Sequence, residues 1–498
     1  MNNLIKPILP ILVLASIFSC SPNTSEQEKK DEKSFDEQFR PQYHFSPPQQ
    51  WMNDPNGMVY LDGEYHLFYQ HYPDSNVWGP MHWGHAVSKD LLHWEHLPIA
   101  LYPDSLGYIF SGSAVIDHGN TTGLGENGKD PMVAIYTYHH DKDGQSQGIA
   151  FSNDKGRSWT KYSDNPVLKS PGIPDFRDPK VSWYDQGNGK GKWIMTLAVK
   201  DKISFYSSPN LIDWTHESDF NPEWAAYGGV WECPDLFPLE ASNGEEKWVL
   251  LVSINPGGPN GGSATQYFTG NFDGQQFTTE GQKVKWIDYG ADDYAGVTWS
   301  NIPKEDGRRL FIGWMSNWQY ATIVPTTAWR SAMTLPRELE LVSVEGDDRL
   351  ASRPIRETKG LRSSSESIQG PTHQLKAPLF ELELTKANHE KASLTLSNEL
   401  GEKVVFKIDG DQLAFDRSSS GKTDFEAGFG NLHTAPLSGV DIKSLRVFAD
   451  RSSLEFFIND GELVMTEIIF PNAPYLKLDF EGFNENAKVH YLASIWDH

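Results

Sequence analysis

Apolar and polar residues alternate at period two along most of the chain, in short runs such as "EYHLFYQ", "MVAIYTYHH", "KWIMTLAV" and "KWVLLVSI". The runs are rich in β-branched and aromatic residues and stop at Gly, Asp or Pro turns, with no convincing amphipathic helix between them. An all-β protein is expected. Within the alternation a unit recurs: "SKDLLHWEHLPIAL" at 88–101, "SNDKGRSWTKYSDNPVL" at 152–168 and "SSPNLIDWTHES" at 207–218, with a weaker copy in "TGNFDGQQFT" at 269–278. The first three share a strand ending in Ser, a tight polar turn, and a Trp opening the next strand. The aromatics Trp94, Trp159, Trp214 and Phe277 lie about 55 to 65 residues apart, a blade-sized interval. Four strands per unit and about five units over residues 40–348 predict a β-propeller, with a large irregular sandwich as the alternative.

Turn residues and charges replace the alternation in "RLASRPIRETKGLRSSSESIQG", so residues 349–370 read as a linker. Alternation returns in "LFELELT", "KVVFKIDG" and "LRVFADRSSLEFFINDG", which predicts a second all-β domain over 371–498, a two-sheet β-sandwich.

The N-terminus departs from both patterns. Residues 1–20 carry one positive charge at Lys6, an apolar run through Phe18, then Ser19 and Cys20. This reads as an export signal too short to span a membrane, and its end resembles a bacterial lipobox in which Cys20 is lipidated. The polar stretch 21–39 then reads as a flexible tether, which makes the protein an exported, membrane-anchored lipoprotein facing the periplasm or the cell surface.

Charge narrows the partners. The 498 residues carry 67 acidic and 43 basic side chains, a formal charge of −24, which repels phosphate backbones and argues against nucleic acid. A neutral ligand is not repelled, and 17 Trp with 19 Tyr offer the flat faces with polar edges that sugars need, although most such rings serve as core. Only Cys20 and Cys233 are present, so no disulfide framework or zinc cluster is expected, and neither metal nor cofactor is implied.

The candidate chemistry emerges from register. In "WMNDPNG" (51–57) Asp54 sits among turn formers, and by itself it reads as a turn. One blade spacing further on stand "FSGSA" (110–114), then "FRDPK" (176–180), "WECPD" (231–235) and "YAGVTWSN" (294–301). If the innermost strand of each blade lines a central channel, then Asp54, Asp178 and Glu232 converge there. Enclosed carboxylates cost several kcal/mol unless paired or used, so their recurrence in register favours a site over three separate ion pairs. Three carboxylates among aromatics suit glycosidic cleavage, which needs one acid, one carboxylate facing the oxocarbenium carbon, and groups that grip the sugar more tightly in the transition state.

With "WMNDPNG", "FYQHYPDSNVWGPMHWGHA", "FSGSA", "FRDPK", "WECPDLF", "DDYAGVTWSN", "GWMSNWQYA" and "DRSSLEFFINDGE" in this order, nearly everything after residue 40 resembles glycoside hydrolase family 32, the β-fructosidases. The resemblance implies a five-bladed β-propeller followed by a C-terminal β-sandwich, and a retaining, exo-acting hydrolase that releases terminal fructose from fructans (levan, inulin), with sucrose as a further candidate substrate. It assigns Asp54 as nucleophile, Glu232 as acid/base and Asp178 as transition-state stabiliser. It also implies that Asn53, Gln70, Trp78, Ser111, Arg177 and Asp178 hold a terminal fructose while Trp51, Phe110 and Trp314 wall the pocket. Retention would set Asp54 and Glu232 roughly 5 to 5.5 Å apart. Neighbouring negative charge is expected to raise Glu232, while turn donors and Arg177 keep the other two carboxylates low. Cys233 reads as a small neighbour of Glu232 and not as a second nucleophile. The alternatives are an inverting arabinanase-like propeller enzyme, endo-action on the same polymers, and a surface lipoprotein that binds glycan without cleaving it.

Overall fold

Two-residue turns decide how the runs pair. Asp62 and Gly63 both adopt positive φ, 49° and 90°, and fold Gln50–Leu61 onto Glu64–Tyr72; Asn188 and Gly189, at 55° and 71°, do the same for Phe176–Gly187 and Lys190–Val199. The recurring unit is likewise a local device. After Ser88, Asp90 Oδ1 accepts from the backbone of Leu92 and His93; after Ser208, Asn210 Oδ1 accepts from Ile212 and Asp213; in the weaker copy Asp273 Oδ1 accepts from Gln275 and Gln276. Side-chain oxygens thus stand in for backbone turns and deliver the aromatic that opens the outer strand.

The computed structural model describes residues 35–385, 391–437, 439–483 and 487–496. The export signal, Cys20 and most of the expected tether lie outside them. Five antiparallel sheets of four principal strands follow one another, their innermost strands being Gln50–Leu61, Tyr108–Ile116, Phe176–Gly187, Val230–Glu240 and Tyr294–Thr298. They are the blades of a five-bladed propeller. Ring closure joins the last blade to the first, through the parallel pairing of Gln50 with Trp329 and Trp51 with Arg330 and the bridge between Val59 and Ser300.

Two six-stranded sheets form the C-terminal sandwich. In Lys403–Asp409 every second residue is buried, as the alternation requires, with Val404, Phe406 and Ile408 inside. Ser453–Ile458 is buried throughout, because Phe457, with Phe448 of the neighbouring strand, packs among propeller residues while Leu454, Phe456 and Ile458 face the sandwich core.

Two expectations change. Residues 349–370 are not a loop linker: Asp347–Pro354 is the outermost strand of the fifth blade, a short 3-10 helix spans Arg356–Leu361, and Arg362–Ser367 is an edge strand of the sandwich. Edge strands carry charge on their solvent face, which is why they read as turn and linker. The tether expected over 21–39 also ends early, since Phe35 stacks on Trp496 at 4.1 Å and Phe39 meets Phe470 edge-on at 5.3 Å.

Ionic groups seal the seam between propeller and sandwich. Fully buried Arg337 donates to Asp288 and Asp293 at 3.0 Å each and to Glu455 at 2.6 Å, and Arg417 pairs with Asp292 at 2.7 Å. His44 bridges Asp450 at 2.8 Å and Glu455 at 2.7 Å. Burial alone would lower the His44 pKa, but hydrogen bonds to the two carboxylates raise it to about 9. A raised histidine stabilises the fold fully below its unfolded pKa of about 6.5 and loses that contribution as pH rises through the folded value. Thermal midpoints are therefore expected to fall between about pH 6.5 and 9, with a shallower slope in His44→Gln; parallel slopes in the two proteins would refute the assignment.

Candidate active site

Each innermost strand skips two residues in its pairing with the next strand, and the five skips lie at one level of the channel. Register passes from Met52 to Pro55, from Ile109 to Gly112, from Arg177 to Lys180, from Glu232 to Asp235 and from Tyr294 to Val297. The unpaired residues are Asn53 and Asp54, Phe110 and Ser111, Asp178 and Pro179, Cys233 and Pro234, and Ala295 and Gly296. Such bulges bend a strand and re-aim side chains. Asp178, Cys233 and Ala295 take positive φ there, 63°, 44° and 54°, a conformation that costs roughly 1 kcal/mol or more for a residue with a Cβ.

The bulges bring the three carboxylates together. Asp54 Oδ1 accepts from Asn53 Nδ2 at 3.0 Å and its Oδ2 from Ser111 Oγ at 2.9 Å. Asp178 Oδ2 accepts from the Cys233 backbone N–H at 3.0 Å, and the Cys233 thiol lies 3.6 Å from both Asp54 Oδ2 and Asp178 Oδ2. Glu232 Oε1 accepts two bonds from the Arg177 guanidinium, at 2.8 and 3.1 Å, and its Oε2 accepts from the Tyr294 hydroxyl. Cys233 is thus a spacer between carboxylates; burial pushes its thiol pKa well up, so it stays protonated and unreactive.

Arg177 does not do what the sequence suggests. Its guanidinium grips Glu232 and Asp175 and stays 3.9 Å from Asp178, and no bond to Asp54 forms. Both aspartates accordingly sit above the ordinary carboxylate range: Asp54 is raised by burial and then by the Glu232 charge, and Asp178 is pushed up to about 7, by burial first, with Arg177 pulling the other way. The guanidinium hydrogen-bonds the glutamate and neither aspartate.

Gln70 lies on the second strand opposite the unpaired Asn53 and Asp54, buried, with its Nε2 lacking a partner among the described residues. A buried donor without an acceptor is costly unless a ligand completes it. Phe110 meets the exposed Trp78 edge-on at 6.2 Å and stacks on His139 at 4.5 Å. Trp51 and Trp314, expected as walls, have no accessible surface. They stand behind the site, Trp51 donating to Asn53 Oδ1 at 2.7 Å, while half-buried Trp318 stacks over Trp51 at 5.8 Å and takes the outer place. An alternating pattern cannot separate a ring that lines a pocket from one that supports it. Reading the sequence also missed Tyr294 and Asp175. Tyr294 was available as the fifth position of the register; Asp175 carried no signal beyond lying two residues before Arg177.

Two family models match the chain: the N-terminal domain of glycosyl hydrolases family 32 over residues 44–354 and the C-terminal domain over 349–497. The sequence is 48% identical over 493 residues to a levanase of Bacillus subtilis (strain 168), covering 94% of this chain and 72% of that protein. It is 38% identical over 523 residues to an extracellular exo-inulinase of Aspergillus niger, covering 93% and 96%. The fold superposes on the crystal structure of exo-inulinase from Aspergillus awamori with a TM-score of 0.85 at 35% identity, over 93% of this chain and all of that one. A β-fructofuranosidase from Schwanniomyces occidentalis complexed with fructosyl-erythritol gives 0.83 at 32% identity, over 91% and 98%.

Proposed function

The chain belongs to glycosyl hydrolase family 32 and is a β-fructofuranosidase of fructans; from that premise we propose that it works from the chain end, releasing fructose with retained configuration. The observation that carries this reading is the cluster in which Asp54, Asp178 and Glu232 occupy or adjoin the unpaired positions of three blades, linked by Cys233. Asp54, with one donor on each oxygen, attacks the anomeric carbon while Glu232 gives a proton to the departing glycosidic oxygen. Glu232 then takes a proton from water as that water attacks the same carbon, which frees Asp54. Asp178 grips ring hydroxyls, and the orphaned Gln70 amide and the face of Phe110 complete the terminal sugar's site. Retention is the consequence of two displacements at one carbon.

The test is product analysis on levan, inulin and sucrose over time, with the anomer followed by NMR. Fructose as the first product, in the retained configuration, is the expected result. Early oligosaccharides would indicate endo-action, inverted product would remove the nucleophile role from Asp54, and binding without any release would favour the glycan-binding alternative.

We further propose that Cys20 carries a lipid anchor and that the protein is displayed from a membrane, on the strength of the lipobox-like end of its signal. Cys20→Ala should move the protein to the soluble fraction; unchanged membrane association would count against lipidation.

A further inference from the structure

At the far end of the propeller channel the same innermost strands enclose a second cavity of about 350 Å3, within the size range of small-ligand sites. Its walls follow the bulges in sequence: Lys180 and Trp183 come after Asp178, and Asp235 after Cys233. Trp183 is five residues beyond Asp178, roughly 16 Å of extended strand, and none of Asp54, Asp178, Glu232 or Arg177 lines the cavity, which is therefore distinct from the carboxylate cluster.

Three features make it a built site. Trp183 is 44% exposed although its ring is fixed. A Cβ at Gly191 would stand 2.3 Å from its Cζ2, so glycine backbone lies against one side of the indole, and Trp193 meets it edge-on at 5.1 Å. The Arg309 guanidinium packs over the Phe237 ring at 5.0 Å and interacts electrostatically with Asp235, but makes no side-chain hydrogen bond among the described residues. Asp235 is fully buried at the cavity wall; its Oδ2 accepts from Lys180 Nζ at 3.0 Å and from the Thr298 backbone N–H at 2.6 Å, while Oδ1 has no partner.

We propose that this cavity is a second saccharide-binding site, taking one sugar unit of a neutral glycan with its C–H face on Trp183 and neighbouring hydroxyls between Arg309 and Asp235. A guanidinium without a hydrogen bond asks for an acceptor and an unpaired carboxylate oxygen asks for a donor, and adjacent hydroxyls supply both at once. A small anion would find Arg309 and a Lys180 already engaged by Asp235 and the Thr298 carbonyl, would face the Asp235 carboxylate and a chain of formal charge −24, and would leave the indole platform idle. No bond is made or broken there. A remote stretch of the polymer held at this end raises the local concentration of chain ends at the other.

The site is tested by affinity electrophoresis through gels containing levan or inulin, with Asp54→Asn protein to limit turnover, alone and combined with Trp183→Ala or Arg309→Gln. Loss of the platform or of the donor is expected to weaken retardation by about three- to tenfold. In an otherwise wild-type background the same two variants should hydrolyse sucrose as well as the parent, which also shows that they fold. If Trp183→Ala fails that control, Arg309→Gln decides. Retardation equal to the parent in a variant that passes the control would overturn the proposal, as would binding of inorganic phosphate to the cavity without any saccharide dependence. Should the protein prove unable to cleave fructan, Trp183-dependent retardation would still be expected, so the two readings fail separately.

Discussion

Asp54→Asn is expected to lower fructan turnover by on the order of 10⁴-fold or more while leaving the fold intact. The amide is nearly isosteric and still accepts from Ser111 Oγ or Asn53 Nδ2 through its carbonyl, so packing is preserved. Removing a charge from a buried cluster in which burial and Glu232 already raise the Asp54 pKa relieves repulsion, and the thermal midpoint should hold or rise. What is lost is the attacking oxygen. Glu232→Gln should cost about 10² to 10⁴-fold on natural substrates, whose leaving alkoxide needs the proton, and much less on a fructoside with a good leaving group. Steady-state kinetics on both substrate types, beside thermal melts, check the pair. Normal turnover in Asp54→Asn, or equal losses on both substrate types in Glu232→Gln, would end the role assignments.

Arg337→Met is expected to destabilise the protein by about 3 to 5 kcal/mol, the largest stability effect available outside the cores. The guanidinium bonds Asp288 and Asp293 from the segment that leads into the fifth blade and Glu455 and Thr466 from the sandwich, all buried. Methionine fills much of the volume but leaves Asp288 and Asp293 without their cation and Glu455 with His44 alone. Their repulsion acts across the seam, so propeller and sandwich should lose cooperativity and melt in separate steps at lower temperature. Calorimetry reads this directly, and a single unshifted transition would show that the pairing contributes nothing net. Arg337→Lys, which keeps the charge but not the fork, should fall between the two.

The seam also explains why some recurrent motifs mislead a search for chemistry. "DDYAGVTWSN" and "DRSSLEFFINDGE" helped identify the family, yet Asp292, Asp293, Asp450 and Glu455 within them are seam residues, held by Arg417, Arg337 and His44. Only Tyr294 of these two segments reaches the carboxylate cluster. Charge inside an all-β pattern marks a cost that must be met, and it can be met by structure as well as by catalysis.

Much of this protein is legible one residue at a time. Period-two alternation fixes strand type, and Asp, Asn and Gly turns fix hairpins. A unit of about 60 residues repeated about five times fixes the propeller, because all these signals are local. Even the site is legible to the extent that it repeats: the register leading from Asp54 to Asp178 and Glu232 is a sequence property, and the structure turns it into five bulges at one level. What only the folded chain decides are relations between residues far apart in sequence. Arg177 binds Glu232, 55 residues away, and leaves Asp54 without a cation; Trp51 and Trp314 support the pocket behind Trp318; residues 349–370 pair as edge strands of two different sheets. Side-chain partners and ring exposure depend on distances across the channel, and no spacing along a strand contains them.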